Sequence, residues 1–356
     1  MTSRSRSQIK GSLIPALAMM LSLVGCTDKG DWQYIDRPVL SDEPIQLRVA
    51  YVDNPRFEGL SSERLQAILD RTVELVEQQF GLKVRFTEPD DLSVQSFFNN
   101  LKQNVKQIRA AALVDPGHVD DAQRQRLRDA IYGTLENYWN DRELVTDFAR
   151  PYLVSPLPED DFLKLADRLV ETLLVRLRSW YEETSADGRP VLDGSPYNEW
   201  VWWDSLGYGN VPYDVVITNQ LVASAEYYGM DVHSSLRGGI SAGTTTYSRT
   251  AQFRSFSWIM VYPMLNDNAV LKTLRDDETY SDQQVVDYSA MLLTHELGHL
   301  LLHLGHPFGN RYCVMAPTPL LKYREWFDGI DAARCPLGSE EQMTPGAARI
   351  EYHSGW

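Results

Sequence analysis

The amino-acid sequence predicts an α+β protein: strands joined by a long helix near the start, strands that return later, a further helix carrying the functional site, and a helical insertion dividing the strand-forming segments. Three observations predict this. A strand, a long helix and a second strand follow one another in under 45 residues near the start. A stretch of almost purely helical spacing then intervenes before strands return. Finally, an apolar helix near the end carries four of the chain's seven histidines within twelve residues, 295–306.

At 356 residues and 43% hydrophobic, the chain can bury a sizeable core in one large or two smaller domains. Lys and Arg number 34 against 49 Asp and Glu, a formal charge of -15. That balance gives no basic face for phosphates, so nucleic acid is not an expected partner. The 11% of aromatic residues can fill the core or line a cleft.

Residues 1–25 read as an export signal. Arg4, Arg6 and Lys10 make a basic start, and 13–24 form an apolar core too short and too rich in small residues for a membrane span. Residues 26–43 are a polar tether. From 44 to 90 the chain becomes orderly. Residues 45–52 alternate at period two, which marks a strand. Ser61 or Ser62 caps a helix running to Phe80, whose Leu65, Ile68, Leu69, Val73, Leu75 and Val76 form one apolar side. Gly81 ends it, and 82–86 is a second strand, expected to lie parallel to the first through a right-handed crossover.

Residues 91–185 form the helical insertion, with helices expected at 93–112, 120–139 and 159–184. The remainder, 186–356, brings strands back at 213–219 and 257–262. Between these, the glycines of 238–243 lack the strand–loop–helix context of a nucleotide site and read as a hairpin or flexible loop beside the sheet. The site helix begins near Gln283, capped by Ser281 or Asp282.

Within that helix, His295 and His299 stand four residues apart, one above the other on one face, where two imidazoles can share a metal ion. Imidazole nitrogen is a suitable ligand for zinc, the ion expected here. Glu296 lies beside the pair, placed to take a proton from a metal-activated water. A catalytic site needs a third protein ligand. In a continuous helix His303 lies roughly 12 Å along the axis from His295 and misses the metal. His306 returns only where the helix breaks, at Gly305 and Pro307. His306 is the expected third ligand, with His303 or a carboxylate from Asp328, Asp331, Glu340 or Glu341 as alternatives. His118, His233 and His353 stand alone in the sequence and read as structural or exposed.

These residues resemble the metzincin metallopeptidases, in which a His-Glu-x-x-His helix with a third histidine is followed by a methionine turn. His295, Glu296 and His299 match directly, and residues 312–317, Tyr-Cys-Val-Met-Ala-Pro, resemble the turn that sets Met315 beneath the metal. The Cys-x-Met form is closest in style to archaemetzincins. The third histidine arrives one residue late: the family's glycine falls at Leu302 and its histidine at Gly305. The resemblance covers 45–86 and 210–320. It implies a metzincin-like zincin fold, with a twisted mixed sheet, a backing helix and an active-site helix, and a late edge strand at 257–262 that binds substrate by strand addition. Tyr312 or Tyr323 is a candidate for oxyanion help.

The segment Leu23-Val24-Gly25-Cys26 resembles the lipobox of bacterial lipoproteins, implying cleavage before Cys26 and a lipid anchor on it; a simple secretory signal is the alternative. Thr27 after the cysteine favours the outer membrane, facing the periplasm. With Cys26 acylated, Cys313 and Cys335 remain. An oxidising compartment favours a disulfide between them, and two buried thiols are the alternative. The function expected is a zinc-dependent endopeptidase of the cell envelope acting on protein or peptide amide bonds. A hydrolase of peptidoglycan stem peptides and a non-catalytic, metal-stabilised binding or assembly lipoprotein are the alternatives. No protein partner is identifiable from the sequence.

Overall fold

The computed structural model describes residues 43–138, 142–193, 197–208, 211–227, 231–246, 254–302, 304–308, 310–318 and 320–335. The signal, Cys26 and most of the tether lie outside them. The α+β architecture expected from the sequence is present as a mixed, twisted sheet with several helices.

The expected first strand is two strands, β1 (Ile45–Leu47) and β2 (Val49–Asp53). Helix α1 (Ser62–Phe80) follows, its N-terminus capped by the Ser61 side chain, which accepts from Arg64 N. Gly81 stops it in the left-handed conformation, returning its N–H to Glu77 O. Strand β3 (Val84–Phe86) pairs parallel with β1, as the crossover predicted. Strand β4 (Asp90–Ser93) pairs parallel with β2. Strand β4 spans the boundary expected at residue 91. The run Asp-Asp-Leu-Ser shows no alternation, and at a sheet edge it needs none.

Helices fill the following stretch: α2 (Val94–Phe97), α3 (Gln103–Ala111), α4 (Asp121–Tyr138), α5 (Arg142–Ala149) and α6 (Phe162–Glu182). The single helix expected over 93–112 is broken, since Leu101 and Lys102 take extended backbone conformations. Helix α6 is the firmest of these elements. Asp161 caps it through Leu163 N and Lys164 N, and its buried side carries Leu165, Leu169, Leu173 and Leu177.

Beyond α7 (Glu199–Trp203), strand β5 (Val215–Thr218) enters the sheet next to β2. Then come α8 (Val232–Leu236), β6 (Gly243–Thr246), β7 (Phe256–Met260), α9 (Tyr262–Leu265), α10 (Ala269–Leu274), α11 (Asp282–Leu302) and α12 (Tyr323–Gly329). The sheet order is β4-β2-β5-β7-β6, parallel except for β6, which runs antiparallel to β7. The expectation of an edge strand at 257–262 is thus corrected. β7 is interior and buried at every position, and β6 forms the edge. Helix α11 packs on β6 and β7 and lies along α1, so the sheet edge and the backing helix together hold the histidine-bearing helix. No helix among the described residues is long and apolar enough to cross a membrane.

Candidate metal centre

His295, Glu296 and His299 sit on the last turns of α11 and are all buried. His295 Nδ1 lies 2.8 Å from Val314 O, and His299 Nδ1 is bonded to Leu304 O. A carbonyl oxygen only accepts, so each Nδ1 carries the proton and each Nε2 presents a lone pair. The two Nε2 atoms are 3.1 Å apart, and His306 Nε2 lies 3.1 Å from both. Lone pairs that converge in this way repel unless a cation sits among them. Zinc–imidazole bonds of about 2.0–2.1 Å at tetrahedral angles set donor nitrogens about 3.4 Å apart, so the observed triangle fits within about 0.3 Å. The three histidines form a cluster able to hold a metal ion.

The one-residue offset of His306 is absorbed at the helix end. Helix α11 stops at Leu302, and Leu304 N bonds back to Gly298 O. The return therefore begins before Gly305, and Leu304 both turns the chain and supplies the carbonyl that orients His299. The other candidates for third ligand fare differently. His303, Glu340 and Glu341 lie outside the described residues. Asp328 is exposed on α12, and the Asp331 side chain accepts from Ala333 N to cap the short turn that follows. Neither belongs to the cluster.

The turn bearing Met315 packs directly under α11. Gly298 leaves room for it: a Cβ there would run into Met315 Sδ and lie 2.8 Å from Phe80 Cζ. Cys313 and Cys335 are disulfide-bonded, with their Cα atoms 4.8 Å apart. Of the two candidate tyrosines, Tyr323 is wholly buried with its ring stacked on Tyr288, and Tyr312 lies beneath the Arg334 guanidinium. Tyr323 is thus enclosed in the core, its hydroxyl shut off from solvent.

Strand β6 covers Glu296 from the sheet side. Thr245 Oγ1 donates to Glu296 Oε2 at 2.7 Å, and a Cβ on Gly243 would lie 2.6 Å from Oε1. Burial pushes the Glu296 carboxyl up to about 8, and the Thr245 hydroxyl opposes that shift. A positive charge held among the neighbouring imidazoles would oppose it as well.

His233 belongs to this site although nothing in the sequence marked it. Its ring meets His306 edge to face with centroids 5.0 Å apart, and its Nε2 lies 3.2 Å from Asp231 Oδ2. The only local signal was the Asp-x-His spacing at 231–233. His118, by contrast, is exposed beside Asp115, as expected of a surface histidine. Comparison with family models, with curated proteins and with solved structures found no match.

Proposed function

We propose that this chain is a zinc-dependent endopeptidase of metzincin type, acting on protein or peptide amide bonds in the bacterial cell envelope. The observation that carries the reading is the convergence of the His295, His299 and His306 Nε2 atoms beside the buried Glu296 carboxylate. The turn at Met315 beneath the site helix supports it. A bound zinc ion supplies Lewis-acid polarisation of the scissile carbonyl and of water. The chain's own groups do the rest. His295, His299 and His306 would hold the ion through three protein ligands, which is one fewer than a closed structural zinc site uses. Glu296 takes the proton from the attacking water and returns it to the leaving amine. Thr245 holds one carboxylate oxygen and so fixes the direction of the other. Strand β6, outermost in the sheet, is the edge along which an extended peptide can add.

The envelope assignment rests on the cysteines. Cys313 and Cys335 are bonded to each other, as an oxidising compartment favours, which leaves Cys26 for acylation. Casein or a peptide library tests the activity. Turnover should vanish on chelation, return with zinc, and fall at least a thousandfold in Glu296→Gln with zinc still bound. Equal turnover in Glu296→Gln and wild type would end the assignment of Glu296 as base. Labelled palmitate should enter the wild type and not Cys26→Ser.

A further inference from the structure

Three contacts link the helical stretch of the chain to the third histidine. First, Phe148 of α5 meets Phe308 edge to face at 4.9 Å, two residues beyond His306. Second, α6 packs on α8 and clamps its C-terminal end. Arg176 donates to Leu236 O and, at 2.8 Å, to Tyr152 O, and Trp180 Nε1 donates to Arg237 O at 3.0 Å. Third, α8 presents His233 to the His306 ring.

The fit between α6 and α8 is close enough to dictate sequence. Gly238 has a φ of 76°, and a Cβ there would lie 2.7 Å from Arg176 Cβ and 2.9 Å from Leu177 N. The glycines of 238–239 thus serve backbone approach, which accounts for a motif that fits no nucleotide site. At the other end of α8, Asp231 uses both carboxylate oxygens: Oδ1 accepts from Ser234 N at 2.6 Å, and Oδ2 meets His233 Nε2. That pairing fixes the plane of the His233 ring. Arg237, just past α8, donates to Leu320 O and Thr318 O, tying the same unit to the chain beyond Met315.

We propose that α5, α6 and α8 form a brace for the third metal ligand, and that His233 is the positioning residue which sets the His306 ring by aromatic packing. His295 and His299 ride on one helix and are spaced by it. His306 comes from irregular chain with a one-residue offset, so its reach depends on what packs against it. Hydrogen-bonding partners that orient a ligand histidine are worth about tenfold to a hundredfold in metal affinity, and ring packing that sets the same orientation acts on the same quantity. The inference rests on reading the histidine cluster as a metal site, and the test separates the two.

Zinc affinity of the full chain, measured by competition with a chromophoric chelator, is the readout, with melting of the metal-free protein as a control for folding. His233→Ala should weaken zinc at least tenfold. His233→Phe, which keeps an aromatic edge, should stay within about threefold of wild type. His306→Ala should weaken it more than either. Wild-type affinity in His233→Ala, with His306→Ala still impaired, overturns the brace and leaves the metal site intact. A loss in His233→Phe as large as in His233→Ala overturns the packing role of His233. Unchanged affinity in both His295→Ala and His306→Ala overturns the metal site itself. Should His233→Ala fail to fold, His233→Leu, which keeps bulk but no aromatic edge against His306, takes its place with the same expected loss, and wild-type affinity in it overturns the brace.

Discussion

Replacing Gly298 by alanine puts a methyl group into space that Met315 and Phe80 already fill. The new Cβ would run into Met315 Sδ, lie 2.8 Å from Phe80 Cζ and 3.1 Å from Met315 Cε. Helix propensity alone favours the change by about 1 kcal/mol. Overpacking of a filled core costs about 1–3 kcal/mol, and Met315 is fully buried. The balance is a net loss of about 1 kcal/mol, a drop of a few degrees in melting temperature. Metal binding should suffer more than stability. Moving the Met315 turn away from α11 also moves Val314 O, which orients His295, and such a loss costs about tenfold to a hundredfold in affinity. Thermal melting of the metal-free protein and chelator competition for zinc measure the two effects. Shortening the facing side chain, as in Gly298→Ala with Met315→Val, should recover part of both. A Gly298→Ala protein that melts higher than wild type and binds zinc equally would refute the packing argument.

Other expectations follow from the same geometry. Cys313→Ser or Cys335→Ser should cost about 3 kcal/mol, the loop-closure contribution for a bridge spanning 22 residues, read from urea midpoints. Gly243→Ala should cut peptide hydrolysis at least tenfold and leave zinc affinity within about twofold, because the added carbon meets Glu296 Oε1 and none of the imidazoles; a parallel loss of zinc would contradict this. Burial pushes the Glu226 carboxyl up to about 7, against hydrogen bonding from Asn198 and the charge of Arg109. The folded state therefore holds that proton more tightly than the unfolded chain. The stabilisation is complete below about pH 4.5, where both states are protonated, and is lost as pH rises through about 7. Glu226→Gln should accordingly gain on wild type across that interval, by up to about 3 kcal/mol, and a difference independent of pH would refute the assignment.

Much of the site could be read from residue types because helix geometry converts spacing into proximity. His295 and His299 were bound to share a face, and Glu296 to lie beside them. The helix end was less legible. Whether His306 arrives depends on a backbone bond from Leu304 to Gly298 and on packing by Phe308, and neither leaves a pattern in the sequence. His233 was invisible for a similar reason, standing 62 residues before His295 on a five-residue helix with no periodicity of its own. In the sheet, the buried strands β2, β5 and β7 were plain from their apolar runs. The edges were not. β4 and β6 are polar, and only the three consecutive threonines of β6 hinted at extended chain.

The sheet also sets an order of assembly. Arg48 and Asp214 flank neighbouring strands yet stand 166 residues apart in the chain, with α4 and α6 folded against each other between them. Local helix contacts form quickly, and parallel pairing across so long a gap forms slowly. All three metal-binding histidines lie beyond residue 294, on a helix that needs β6 and β7 in place to pack. A metal ion at this cluster would thus be captured at the close of folding and would not guide its beginning. Pulsed hydrogen exchange during refolding should find α6 protected before β2 and β5, at the same rate with or without zinc.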